Sequence, residues 1–190
     1  MNEEKLISRA AKGDASAFSE LLGQHEKRMY AVCLRMCVNQ EDAQDCLQEA
    51  MLRIYRSISG FKGQSSFSTW VYRVTMNTCL DEIRKKKNKQ TTSLDSLLDS
   101  GWSPSDDYDT PEHHAIEGER KKAIRNAISE LPEDMRSAVV LRDIEGFSYD
   151  EISVILGINV GTIKSRISRG REKLREKIRK RPELFDRANV

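Results

Sequence analysis

Apolar residues recur along most of the chain with a period near 3.6, the signature of amphipathic helices. Phe18, Leu21, Leu22, Met29, Val32, Cys33 and Met36 mark one face of a helix opened by Asp14 or Ser16 and running to about Met36. Asn39, with Asp42 three residues on, has the form of a helix cap. The helix it opens carries Ala43, Cys46, Leu47, Ala50, Met51, Ile54 and Ile58 on one side and Asp42, Asp45, Gln48, Glu49 and Arg53 largely on the other. Gly60 and Gly63 break the pattern. Ser66 or Ser68 restarts it, and Phe67, Trp70, Val71, Val74, Leu80 and Ile83 trace a third long helix that ends in the basic run RKKKNK.

Periodicity then lapses. The stretch TTSLDSLLDSGWSPSDDYDTPE is dominated by Gly, Pro, Ser and Asp, and reads as a linker rather than a loop inside a compact domain. Leu94, Leu97, Leu98 and Trp102 are placed to dock lightly on a surface. From near His114 the helical pattern resumes. Ala123, Ile124, Ala127, Ile128 and Leu131 fit a helix ending before Pro132, because a residue preceding proline resists the helical region. Pro132 opens another helix, with Ala138, Val139, Val140 and Leu141, closed by Gly146. The expected fold is all-α: two small helical domains, 1–90 and 119–182, joined by a flexible acidic linker, 91–118, with a tail, 183–190.

The stretch GFSYDEISVILGINVGTIKSRISRGREKLREKIRK has the most specific local grammar. Ser148 followed by Glu151 is a capping box, with Phe147 and Ile152 at the positions of a hydrophobic staple. Gly157 stops that helix after Leu156, and the small Ser153 lies four residues before it. A short helix, a small residue and a turn glycine are what a helix-turn-helix needs where its second helix crosses closely over the first. Asn159 is placed to cap the second helix. There Ile163, Ile167, Gly170 and Leu174 face inward, while Lys164, Ser165, Ser168, Arg169 and Arg171 remain mainly outside. Cationic and hydroxyl groups on that face suit base edges and phosphates in a major groove. The backbone amides near Gly161 and Thr162 are candidates for a phosphate. Lys173, Arg175 and Lys177 lie further along, suited to phosphates or solvent.

Charge changes the picture through its distribution, since the formal net charge is only +2. Residues 164–181 hold ten Lys or Arg against two Glu; residues 92–119 hold eight acidic residues and no Lys or Arg. Such segregation sets positive surface against a polyanion without a large total. The four cysteines, at 33, 37, 46 and 79, sit among apolar neighbours. Cys33 and Cys37 form an i,i+4 pair and there is no tight Cys-x2-Cys pair, so buried thiols in a reducing, cytoplasmic compartment are expected rather than a metal set with His25. No cofactor is expected. The histidines at 25, 113 and 114 form no catalytic signature, and no phosphate-binding glycine motif is present, which argues against an enzyme. No apolar run approaches eighteen residues and no secretory leader is evident, so no membrane insertion is expected.

The N-terminal unit offers two surfaces. Its second helix has an acidic face suited to a basic protein partner. Its third combines Phe67, Trp70, Tyr72, Arg73 and Asn77 with basic residues, a mixture able to stack on unpaired bases and hold their backbone. Helical spacing favours the core for Trp70; for Tyr72, Arg73 and Asn77 core and nucleic acid both remain open.

Taken together, these stretches resemble the extracytoplasmic-function sigma factors of the bacterial sigma-70 family over nearly the whole chain. AAKGDASAFSELLGQHEKRMYAVCLRM, NQEDAQDCLQEAMLRIYRSISGF and FSTWVYRVTMNTCLDEIRKKK are similar to their N-terminal domain, and LPEDMRSAVVLRDIEGFSYDEISVILGINVGTIKSRISRGREKL to their C-terminal one. The resemblance implies that the acidic face, with Asp42, Asp45, Gln48 and Glu49, grips the beta-prime clamp helices of core RNA polymerase. It implies that the N-terminal domain melts the −10 element. Asn77 would lie at a pocket for a flipped base, completed by the loop with Phe61, Lys62, Ser65 and Ser66, and Tyr72 and Arg73 would belong to the same surface. Gly161, Thr162, Lys164, Ser165, Ser168, Arg169 and Arg171 would meet the −35 element. Promoter DNA, core polymerase and an anti-sigma factor are the partners implied. Three positions depart from the common pattern: Asn159 stands where many relatives have Pro, Ser153 where Ala is frequent, and Ser168 where some carry a larger side chain. The alternative is a dimeric helix-turn-helix regulator acting without polymerase, but no dimerisation stripe or effector domain is evident.

Overall fold

A computed structural model describes residues 3–37, 39–90, 111–180 and 182–185. The described residues are helical, in nine α-helices: α1 (Glu3–Ala11), α2 (Ala15–Cys37), α3 (Gln40–Ser57), α4 (Phe67–Gln90), α5 (Pro111–Ser129), α6 (Glu133–Val139), α7 (Tyr149–Leu156), α8 (Val160–Arg179) and α9 (Pro182–Phe185). Asp14 is the cap of α2, its Oδ1 accepting from the Ala17 N–H at 3.0 Å. Asn39 caps α3 by accepting from the Asp42 N–H at 2.8 Å. Ser66 begins α4 in the same way, accepting from the Thr69 N–H at 3.1 Å.

Leu6, Leu21, Leu22, Met29, Ala50, Ile54, Phe67 and Val71 form a core shared by α1 to α4. A second core starts with Val32, Met36, Ala43 and Met76 and continues into the C-terminal unit through Tyr72, Phe147, Ile152, Ile155, Ile163 and Ile167. The two units are therefore docked, with α4 packed on α7. The Tyr72 and Phe147 rings meet edge to face at 4.8 Å. Glu145 is the polar centre of the seam. Its carboxylate lies 3.5 Å from Arg28 and 3.3 Å from Arg35, and accepts from the Tyr72 hydroxyl at 3.3 Å. Arg136 of α6 crosses the seam, donating to the Met36 carbonyl at 2.7 Å and to the Leu131 carbonyl of its own unit at 3.0 Å.

The sequence pattern predicts one α-helix from Pro132 to Gly146. Instead α6 widens into a π-helical turn over Val140–Ile144, with the Glu145 N–H reaching back to the Val140 carbonyl at 3.0 Å. The extra residue in that turn re-aims Glu145 at the N-terminal unit. Helix α5 begins at Pro111, inside the stretch expected to be linker; proline suits a first helical position because its missing N–H would have no partner there. Leu94, Leu97, Leu98 and Trp102 lie outside the described residues.

Candidate nucleic-acid and protein interfaces

The helix-turn-helix is built from local hydrogen bonds. Ser148 Oγ accepts from the Glu151 N–H at 3.2 Å, and Glu151 Oε2 accepts from the Ser148 N–H at 2.9 Å. The Ser148 N–H and then the Ser148 hydroxyl, which donates to the same oxygen at 2.7 Å, hold the Glu151 carboxyl below its ordinary range. Gly157 ends α7 at φ +66°, a left-handed conformation that costs a side-chain-bearing residue about 1–2 kcal/mol. Ser153 Oγ donates to the Ile158 carbonyl at 2.6 Å, tying the turn to the first helix. Asn159 Oδ1 then accepts from the Thr162 N–H at 2.8 Å and starts α8.

Helix α8 buries Ile163, Ile167 and Gly170. Gly161, Lys164, Ser165, Ser168, Arg169 and Arg171 are exposed, and Thr162 is half-buried. The exposed set forms a polar, cationic strip away from the N-terminal unit. Several of these residues already have partners: the Lys164 ammonium lies 5.6 Å from the centre of the Tyr149 ring, Ser165 Oγ donates to the Thr162 carbonyl at 2.8 Å, and Arg169 Nε donates to the Ser165 carbonyl at 3.3 Å. Arg171 forms a two-pronged ion pair with Asp143, one arm 3.0 Å long. The Thr162 N–H is used by its cap, so a phosphate at this terminus has to take neighbouring amides or the hydroxyl.

In the N-terminal unit, Phe61 lies 5.6 Å from Phe67 and 5.3 Å from Trp70, ring to ring. Trp70 is half-buried against the first core, as its spacing suggested. Arg73 and Asn77 are exposed. With Trp70 they follow an i, i+3, i+7 line on α4, so Phe61, Trp70, Arg73 and Asn77 make a strip about 10 Å long along the helix axis. Lys62 and Ser66 are exposed beside its start and Ser65 is half-buried; Ser66 also caps α4.

On α3, Asp45 and Gln48 are exposed. Asp42 is tied to Lys86 and to Asn39 Nδ2 at 2.7 Å. Glu49 pairs with Arg53 at 2.8 Å, which pairs with Asp81 at the same distance. The exposed stripe runs on from Asp45 and Gln48 to Leu52 and Tyr55, 48% and 49% exposed. Sequence reasoning missed those two. Their signal was positional: two large apolar residues off the core face, seven and ten residues from Asp45.

Two family models match the chain: Sigma-70 region 2 over residues 21–89 and Sigma-70 region 4 over residues 121–174. The chain is 34% identical to the ECF RNA polymerase sigma-E factor of Haemophilus influenzae over 182 residues, covering 94% of this chain and 96% of that one. It is 36% identical to the ECF RNA polymerase sigma factor SigW of Bacillus subtilis over 181 residues, covering 93% and 96%. The chain belongs to the extracytoplasmic-function sigma factors of the sigma-70 family. As a sigma factor it directs promoter-specific initiation by RNA polymerase and is not itself an enzyme. The reading as a dimeric regulator gives way to this one.

Solved structures agree on the fold. The sigma factor RpoE of Bartonella quintana, solved with the anti-sigma factor NepR, superposes with a TM-score of 0.72 at 23% identity, covering 85% of this chain and 96% of that one. CnrH, solved with the cytosolic domain of CnrY, gives 0.68 at 21%, covering 94% and 97%. In this sigma factor, region 2 contains most of α2, all of α3 and nearly all of α4, and region 4 contains α7 and most of α8. Among the described residues no helix is long and apolar enough to cross a membrane.

One residue assigned to the −10 surface sits away from it. Tyr72 is fully buried beneath the C-terminal unit, and enclosure beside Glu145 pushes its hydroxyl pKa up. His25 takes no part with the cysteines; its ring lies 5.6 Å from Phe67, and desolvation lowers its pKa. The cysteines themselves converge. Cys37, Cys46 and Cys79 have sulfurs within 4.8 Å of one another, and Cys33 Sγ is 3.7 Å from that of Cys79. Spacing showed only the Cys33–Cys37 pair on α2, because Cys46 and Cys79 arrive from other helices.

Proposed function

We propose that this sigma factor reads its promoter with two surfaces and holds core polymerase with a third. The −35 reader is α8. Lys164, Ser165, Ser168 and Arg169 face the base edges, and Gly161, Thr162 and Arg171 face the phosphates. The −10 reader is the strip from the loop with Phe61, Lys62, Ser65 and Ser66 along α4 to Arg73 and Asn77. Its aromatic and cationic groups suit a separated strand, and the Asn77 amide suits the edge of an unstacked base. The polymerase face is α3, where Asp42, Asp45, Gln48 and Glu49 are joined by Leu52 and Tyr55; apolar contacts ringed by acidic groups suit a basic helical partner such as the beta-prime clamp helices.

The observation that carries this reading is the separation of the faces. The docked units meet where α4 packs on α7 and α2 packs on α5 and α6, which leaves the exposed strip of α8 and the outer face of α3 clear of the seam. Tyr72 differs: it reaches DNA only after the C-terminal unit has moved off α4. An anti-sigma protein is the further partner this reading implies, and action on promoters places the protein in the cytoplasm. The reading is tested by adding the purified chain to core RNA polymerase and mapping transcript starts. Specific starts that require the chain support it. Stable dimeric binding to a palindrome, with no association with core polymerase, overturns it.

A further inference from the structure

All four cysteines of the chain come from three different helices to one place: Cys33 and Cys37 on α2, Cys46 on α3 and Cys79 on α4. We propose that they form a thiolate site for one zinc-class divalent ion, with Cys37, Cys46 and Cys79 as ligands and Cys33 as the fourth.

Geometry is the first argument. Four sulfurs at about 2.3 Å from a tetrahedral zinc lie about 3.8 Å from one another. Cys33 and Cys79 are already 3.7 Å apart, Cys37 and Cys46 are 3.3 Å apart, and the trio of Cys37, Cys46 and Cys79 closes within 4.8 Å. Cys33 approaches the trio through Cys79 and stands outside the set of mutually close sulfurs, so its side chain has to turn to complete the coordination. Core packing alone needs apolar volume at these positions; it does not need sulfur at all of them, nor a three-way convergence.

The surroundings are the second argument. A zinc ion with four thiolates carries two net negative charges, and two cations lie within electrostatic reach. Lys86 interacts with Cys37 and Cys46, and Arg136 with Cys37, while the acids Asp42, paired with Lys86, and Glu82 also act on Cys46. Arg136 is 9% exposed, and its Nε is buried without a hydrogen-bond partner among the described residues, although its other nitrogens bind carbonyls. An N–H donor beside a thiolate ligand is a common outer support of metal sites.

Binding is balanced without an oxidant: the ion enters as a dication and the thiols lose up to four protons to solvent. Disulfide formation would need an oxidant to reach sulfurs that are 0–1% exposed at Cys33, Cys46 and Cys79. Cys37, half-buried at the end of α2, is the way in. A filled site would staple α2 to both α3 and α4, the helices that carry the polymerase face and the −10 strip.

The test uses the full chain, purified under reductant and stripped of metal. Cobalt(II) should give thiolate charge-transfer absorption that saturates at one equivalent and is abolished by one equivalent of zinc(II). In competition with a chromophoric chelator, Cys37→Ser and Cys46→Ser should each weaken zinc binding by more than the roughly 10–100-fold that an outer-shell partner is worth. The metal-free variants should melt as the metal-free parent does, which separates ligand loss from misfolding. Absence of thiolate-to-cobalt bands in the parent overturns the proposal, as does zinc binding that both serine variants retain. A reductant-free preparation that is lighter by the hydrogens of one or two disulfides and takes up no zinc after reduction also overturns it.

Discussion

His25 illustrates how a single side chain sets a condition on the fold. Its Nε2 is buried without a hydrogen-bond partner among the described residues, its ring rests on Phe67, and desolvation places its folded pKa below the ordinary 6.5. The unfolded chain therefore takes up this proton first. Stability from a neutral His25 is complete above about pH 6.5 and is lost as the pH falls through that value toward the folded pKa. His25→Phe should flatten the pH dependence of urea unfolding between about pH 7.5 and 5.5; a slope equal to the parent's contradicts this account. Other residues were legible in the sequence where their partners are near neighbours. Asn39, Ser148, Gly157 and Asn159 act within a few residues of themselves, so their roles as caps and turn follow from local pattern. Tyr72, Arg136 and the cysteines were not legible in that way, because what they touch comes from remote segments.

At the scale of elements, helical period was enough to find α2, α3, α4 and the helix-turn-helix, since each buries one continuous stripe. It did not reveal the π-helical turn before Glu145, because one extra residue in a turn leaves composition unchanged. Among the described glycines, the one with least room for a side chain is Gly170 of α8. A Cβ there would lie 2.7 Å from Val139 Cγ2 of α6, and a β-branched neighbour has little freedom to turn aside. Gly170→Ala gains up to about 1 kcal/mol of helix propensity. The overpacking costs about 1–3 kcal/mol, so a net loss of stability is expected, accompanied by weaker −35 binding as α8 shifts. Chemical denaturation checks it: an alanine variant more stable than the parent means that α6 and α8 do not approach so closely.

At the scale of the whole molecule, sequence pattern led to two domains on a flexible tether and left their arrangement open; the structure docks them, α4 on α7 and α2 on α5 and α6. The seam was hidden because Phe147 has a local explanation as a staple, and Glu145 looks like any exposed acid. Yet Phe147 is 8% exposed, and the Glu145 side chain, at 6%, sits between Arg28 and Arg35. Glu145→Lys replaces attraction with repulsion and removes a charged hydrogen-bond centre worth on the order of 2 kcal/mol. It should enlarge the radius of gyration in solution scattering and speed hydrogen exchange along the Tyr72 face of α4. An unchanged radius and unchanged exchange would mean that Glu145 does not hold the units together.

The central claim is that separate faces of one sigma factor recognise duplex and melted promoter DNA. Permanganate footprinting of promoter complexes with reconstituted holoenzyme tests it most directly, using the parent, Lys164→Ala and Asn77→Ala. The account predicts that Lys164→Ala lowers promoter occupancy by about tenfold, the lower end of a lost base contact, with normal reactivity of melted thymines in the complexes that form. It predicts that Asn77→Ala leaves occupancy near the parent's and reduces melting. Equal occupancy and equal melting in all three proteins, or the two defects exchanged, would contradict it.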